Sequence, residues 1–177
     1  RSGGWRRWIY RRESRLLADF EKKIAADFDH LFVVTDAEKL VLPPGFPVDK
    51  VSALPNGVDL AYFEPVPMNS DGAKKVVFTG VMDYWPNMEG VMWFVREIWP
   101  AVRARHPDAQ FDIVGSRPDP CVKELAEVSG VNVTGFVPDV REYLAGSRVG
   151  VVPLRIARGV QNKVLEAMAT ARPVVCT

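Results

Sequence analysis

The segment Gly159-Val160-Gln161-Asn162-Lys163-Val164-Leu165-Glu166-Ala167-Met168-Ala169 concentrates the residue types that could do chemistry. Gly159, Asn162, Lys163 and Glu166 recur at three- and four-residue spacing, which places them on one face of a helix. Gly159 and Asn162 fall near the helix start, where free N–H groups and the helix dipole favour an anion. Lys163 adds a full positive charge. Glu166, one turn further, can accept bonds from two vicinal hydroxyls of a ribose. The same spacing also describes a solvated Lys–Glu pair worth under about 0.5 kcal/mol. The helix period turns Val164, Leu165, Met168 and Ala169 toward a core.

The surrounding elements decide between these readings. From Lys75 onward the chain alternates strand and helix. Strands are expected at Lys75–Thr79, Phe111–Val114, Val131–Thr134, Arg148–Pro153 and Pro173–Cys176. Helices are expected between them, with caps at Asn87, Asp119 and Asp139. Pro100 should kink the first of these helices. The strands are apolar almost throughout, as in a parallel sheet covered on both faces. The fold class expected is α/β, a doubly wound, Rossmann-like parallel sheet.

Such sheets bind ligands at the carboxyl ends of their strands. The residues found there are Gly80, Gly115-Ser116-Arg117, the loop Thr134 to Pro138 containing Val137, and the loop Pro153 to Gly159 with Arg155 and Arg158. Together they offer close backbone approach, positive charge and an apolar wall. A nucleoside diphosphate needs that mixture.

The N-terminal part reads differently. Leu17, Phe20, Ile24 and Phe28 mark an amphipathic helix from about Trp8 to Asp27. Short strands follow at Leu31–Thr35 and Val51–Leu54, with a short helix capped by Thr35 or Asp36 between them. Pro65, Pro67 and Gly72 suggest a linker over 63–73. We therefore divide the chain into 1–64, the end of one domain with its linker, and 65–177, a Rossmann-like domain. Arg1 is not an initiator Met and the last strand lacks following helices, so truncation at both ends is expected. With its partner domain missing, the first unit should expose apolar surface and self-associate.

Composition narrows the function. The 177 residues carry a net charge of +1, which argues against a dedicated nucleic-acid binder. No apolar run approaches the roughly 20 residues of a membrane span. Cys121 and Cys176 form no CxxC pair, and no metal site is expected. Arg6, Arg7, Arg11, Arg12 and Arg15 interleave with Trp5, Trp8 and Tyr10. That mixture suits peripheral contact with an anionic membrane surface, and equally a solvated leading segment. The expected location is cytoplasmic, with contact at the inner membrane surface.

Two stretches together are specific. Gly159 to Ala169, followed by Arg172-Pro173-Val174-Val175, resembles the "LEAMA.G.PVV" signature of GT-B retaining glycosyltransferases, family 4. Val51 to Phe63 (VSALPNGVDLAYF) resembles the "V.PNGVD...F.P" stretch that ends the N-terminal domain in that family. Phe111–Gly115 and Val131–Pro138 match further segments in order. The Trp-rich stretch Tyr84 to Phe94 looks like the branch tied to exopolysaccharide and exosortase-type gene clusters.

The resemblance implies a two-domain, hexosyltransferase-like enzyme of class EC 2.4, acting in polysaccharide or glycolipid biosynthesis. Its C-terminal half would bind a nucleotide-diphosphate sugar without a cofactor or obligatory metal. Its acceptor would be a sugar or a lipid-linked hydroxyl, and its catalytic groups would lie mainly in the other domain. Carried over by position, Glu166 binds the ribose, Val137 contacts the base through its backbone, and Gly80 faces the pyrophosphate. The chain departs from the pattern at two places. Arg158 stands where the family has a glutamate that faces the donor sugar. Val81 stands where it has arginine after the glycine, and residues 81–90 contain no base. Phosphate charge must then come from Arg155, Arg158 and Lys163. The rival readings are a sugar-nucleotide epimerase of the same architecture and a non-catalytic interaction module.

Overall fold

A computed structural model describes residues 4–67, 74–157 and 159–177. Its contacts divide the chain into two units, Arg1–Asn56 and Gly57–Thr177.

The first unit contains helix α1 (Gly4–Asp27), strand β1 (Leu31–Val33), a one-turn helix α2 (Asp36–Lys39) and strand β2 (Val51–Ala53). β1 and β2 pair in parallel, Leu31 opposite Val51. Among its described residues only Ala25 and Val51 are buried. The apolar stripe of α1 is open, in line with the apolar surface expected of this unit. Leu17 and Phe20 are more than half exposed, as are Trp5, Trp8 and Tyr10. A two-stranded sheet offers too little surface to cover a helix of 24 residues. No helix among the described residues is long and apolar enough to cross a membrane.

The second unit is the α/β, Rossmann-like domain. Its strands are β3 (Lys75–Thr79), β4 (Gln110–Val114), β5 (Val131–Gly135), β6 (Val149–Val152) and β7 (Val174–Cys176). They form one sheet in the order β5-β4-β3-β6-β7, and every neighbouring pair is parallel. Helices α3 (Trp85–Trp93), α4 (Trp99–Arg105), α5 (Pro120–Lys123), α6 (Arg141–Gly146) and α7 (Asn162–Ala169) connect them. The apolar strands are buried on both sides. Phe78, Phe111 and Ile113 pack on one face with Val91, Phe94 and Trp99, and Val77 and Val114 pack on the other with Leu144 and Ala167.

Pro100 acts as expected, by an unexpected route. It has no N–H for Arg96 and its ring would crowd that carbonyl. The chain widens into a π-helical turn, Phe94–Ile98, and restarts at Trp99 with proline in the first turn. The widened turn keeps Phe94 and Trp99 on the Phe111 ring, with centroids 4.8 and 5.6 Å away.

Arg172 is almost fully buried, at 2% exposure. Its guanidinium donates to the Leu144 and Ala145 carbonyls at 3.0 Å each and to the Val66 carbonyl at 2.8 Å. Leu144 and Ala145 lie in the last turn of α6, where carbonyls have no partner within the helix. One side chain thus caps α6 and holds the incoming segment around Val66. Arg172→Met should cost about 1–3 kcal/mol of stability, because it removes a buried guanidinium that donates to three backbone carbonyls, of which Leu144 O keeps its bonds from Ser147. A urea midpoint shift of that size, only partly restored by Arg172→Lys, is the expected measurement.

Candidate functional site at the switch point of the sheet

From β3 the chain moves outward to β4 and β5 on one side, then to β6 and β7 on the other. The order reverses between β3 and β6, and a crevice opens beyond their carboxyl ends. β3 delivers Gly80 there, and β6 delivers the loop leading to α7.

Backbone packing at this point is close enough to dictate residue type. The Gly80 N–H donates to the Val114 carbonyl at 3.0 Å. A Cβ on Gly115 would lie 1.6 Å from the Gly80 carbonyl oxygen, so the loops after β3 and β4 touch through backbone and only glycine fits. A Cβ on Gly80 would fall 2.7 Å from Asn87 Nδ2 and 3.0 Å from Lys163 Nζ. Gly80 is glycine because two polar side chains from distant parts of the sequence fill its space.

Lys163 is the second residue of α7. Its Nζ lies 4.3 Å from the centre of the Phe78 ring and donates to Asn87 Oδ1 at 2.7 Å. Asn87 is itself buried and donates from Nδ2 to the Val81 carbonyl at 2.9 Å. Burial lowers the Lys163 pKa to about 8, and the charge of Glu166 partly opposes that fall. Glu166, half-buried, responds in the opposite sense. Desolvation raises its carboxyl pKa and Lys163 pulls it back. Both shifts have the same cause, charged groups held away from water without close partners of opposite sign.

The other candidate residues are distributed around this centre. Asn162 is exposed at the start of α7. Val137 is half-buried and packs against the Val77–Ala167 cluster. Arg155 is exposed and turned onto α3, where it pairs with Glu89 at 3.0 Å and lies 5.8 Å from the Trp93 ring. Arg155 and Gly159 line a cavity of about 440 Å³ with Leu154, Gln161 and Val164, at the ends of β6 and β7. Arg158 lies outside the described residues. The structure therefore brings Gly80 and Lys163 together with Glu166 close by in charge, and places Arg155 and Gly159 on the adjoining cavity.

Two local expectations change. Asn87 does not cap α3. The helix starts at Trp85, with Pro86 in its first turn and Tyr84 as the flanking residue, which carries Asn87 inside. Proline's preference for the first turn was the signal that could have placed it. Secondly, α7 meets the sheet through Ala167 rather than Met168, which is 61% exposed. A Cβ on Gly150 would lie 3.2 Å from the Ala167 Cβ, so the helix approaches where both residues are small. That rotation turns Lys163 inward. Glu166 is the fifth residue of this eight-residue helix, one turn past its start as its spacing indicates.

A family model for glycosyl transferases group 1 matches residues 73–177. The chain belongs to that family. Among curated protein sequences none matches. Solved structures of glycosyltransferase fold resemble most of the chain in fold and weakly in sequence. S. aureus TarM, in complex with fondaparinux, alpha-GlcNAc-glycerol and UDP, aligns over 86% of this chain with 19% identity and a TM-score of 0.69. Anabaena HepE, in complex with UDP and glucose, aligns over 90% with 16% identity and a TM-score of 0.69. Sucrose-phosphate synthase from Thermosynechococcus elongatus aligns over 90% with 24% identity and a TM-score of 0.67. The chain spans 30%, 47% and 43% of those three chains, less than half of each. At such identities they share a fold with this glycosyltransferase-family chain, which their GT-B architecture supports.

The lowered pKa of Lys163 makes a prediction about stability. Its folded value, about 8, is below its ordinary 10.5, so between those values the unfolded chain binds more protons. Stability should therefore rise with pH across pH 8 to 10.5 on account of this group, by up to about 3 kcal/mol. Denaturant midpoints at pH 7.5 and 10 should show that rise in the parent and lose it in Lys163→Met. An identical pH dependence in the two proteins would contradict it.

Proposed function

We propose that this family member transfers a sugar, with retention, from a nucleotide-diphosphate donor to a hydroxyl on a sugar or lipid-linked acceptor. The observation carrying the reading is the Lys163 ammonium, desolvated, beside Gly80 and joined to a neutral partner at the switch point. A largely desolvated cation with no ion pair to it, and only the nearby charge of Glu166 opposing it, favours an anionic ligand, and a glycine loop lets phosphate oxygens come near backbone N–H groups. When the bond to the sugar breaks, negative charge grows on the departing diphosphate. Lys163 and the N–H groups at the start of α7 are fixed in advance where that charge develops, which is the efficient form of electrostatic catalysis.

Glu166 lies a turn further along α7 and takes the two ribose hydroxyls in this reading. Val137, packed with the cluster that includes Ala167 of α7, belongs to the wall for the base in this reading. Arg155 and Gly159 border the adjoining cavity, which suits the sugar, and Asn162 stands exposed at the start of α7 beside them in sequence. Charge is neutralised by protein groups, so the reading needs no obligatory metal. UDP bound to TarM and HepE supports a nucleoside diphosphate as the shared ligand class. The acceptor groups belong to the rest of the enzyme. The basic and aromatic α1 fits peripheral contact with the cytoplasmic face of an anionic membrane, in polysaccharide or glycolipid synthesis.

Glu166 is the direct test. Charge-assisted bonds to hydroxyls contribute roughly 1.5–3 kcal/mol each. In the full-length enzyme, Glu166→Ala should weaken UDP or GDP binding by on the order of tenfold to a few hundredfold. Glu166→Gln should do less harm, since its amide oxygen still accepts. Calorimetric affinities equal to the parent in Glu166→Ala would remove the ribose role. No affinity of the parent for any nucleoside diphosphate would leave an interaction module.

A further inference from the structure

We propose that Asn87 is a positioning residue that aims the Lys163 ammonium at the Gly80 loop while leaving its charge unspent. The proposal rests on the reading that this crevice receives the diphosphate. Asn87 sits on α3, 76 residues away from Lys163 in sequence, and is 5% exposed. Its two amide atoms do different work. Nδ2 donates to the Val81 carbonyl at 2.9 Å, and Oδ1 accepts from Lys163 Nζ at 2.7 Å. A carbonyl can only accept and an ammonium can only donate, so the two partners fix which way the amide points.

The geometry selects the side chain. An aspartate of the same size would accept from Lys163, but it would turn a carboxylate oxygen toward the Val81 carbonyl. It would also neutralise the ammonium before any phosphate arrived. A leucine would leave both Val81 O and Lys163 Nζ without this partner in a partly buried place. Asparagine alone among side chains of this size ties the loop to the cation and adds no charge. The remaining surroundings of Nζ agree. From β3 it meets the Phe78 ring, from α3 the neutral Asn87, and on its own helix the charge that acts on it is Glu166. Glu89, also on α3, is engaged by Arg155. Lys163 is thus held in place by two neutral groups, with Glu166 as the one opposite charge that acts on it from its own helix.

The test compares the parent chain with Asn87→Asp and Asn87→Ser, each labelled at lysine Cε. Two quantities are read: the titration of Lys163 by NMR, and the affinity for UDP and GDP from pH 6.5 to 10. In the parent, Lys163 should titrate near 8, and affinity should fall as pH rises through that value because the charged form binds. In Asn87→Asp the adjacent carboxylate should raise the Lys163 midpoint by at least about one unit. Diphosphate affinity at pH 7 should drop at least tenfold. Uridine and guanosine, which lack phosphates, should bind equally to both. Asn87→Ser, shorter and neutral, should weaken diphosphate binding without raising the midpoint. Parent-like affinity and an unmoved Lys163 titration in Asn87→Asp would overturn the proposal. If the parent bound neither nucleotide, the diphosphate reading would fail, while a raised Lys163 midpoint in Asn87→Asp would still establish the contact and its electrostatic effect.

Discussion

A lysine ammonium drawn largely out of water against an amide and an aromatic ring, with Glu166 as its nearby opposite charge, is the constraint around which this domain is arranged. Burial works against that charge, and the lowered pKa of Lys163 is its measure. Yet the structure builds toward it from three directions. Gly80 lacks a side chain so that Asn87 and Lys163 can meet. Gly115 lacks one so that the loops after β3 and β4 can lie against each other. α7 rides close to β6 through Ala167 and Gly150, which turns Lys163 inward. A fold that gives up stability at one place and shapes its neighbours to suit is what the proposed binding role of Lys163 would require.

The doubly wound sheet explains why these residues converge. Parallel strands leave all their carboxyl ends on one side, and the reversal of order between β3 and β6 prevents the flanking helices from closing over that point. Gly80 and Lys163 are distant in sequence and adjacent in space for that reason. The rest of the domain keeps the crevice in shape. The Phe94–Trp99–Phe111 cluster secures α3, and with it Asn87. Arg172 secures α6 and the segment around Val66.

Much of this was legible in the sequence. Apolar strands between turn residues located all five strands of the sheet to within a residue or two, because strands buried on both faces leave a continuous signal. Lys163 and Glu166 stood out by their spacing near a helix start. Other features were hidden for physical reasons. Helix period weights large side chains, so it turned Met168 inward and missed a contact made by alanine against glycine. Asn87 looked like a cap because asparagine favours caps, and its true role depends on a lysine far along the chain. The π-helical turn before Trp99 follows from Pro100 only once the packing of Phe94 and Trp99 on Phe111 is known. Arg172 appeared as part of a signature and is an internal clamp. Each is a tertiary effect overriding a local preference.

The account centres on where a diphosphate would lie. A crystal structure of the full-length enzyme with UDP or GDP tests this most directly. The account predicts a phosphate oxygen about 3 Å from Lys163 Nζ, over Gly80, with Asn87 still joined to the lysine and the ribose hydroxyls on Glu166. A diphosphate held by Arg155 on the far side of the loop, with Lys163 still buried against Phe78 and touching no phosphate, would contradict it.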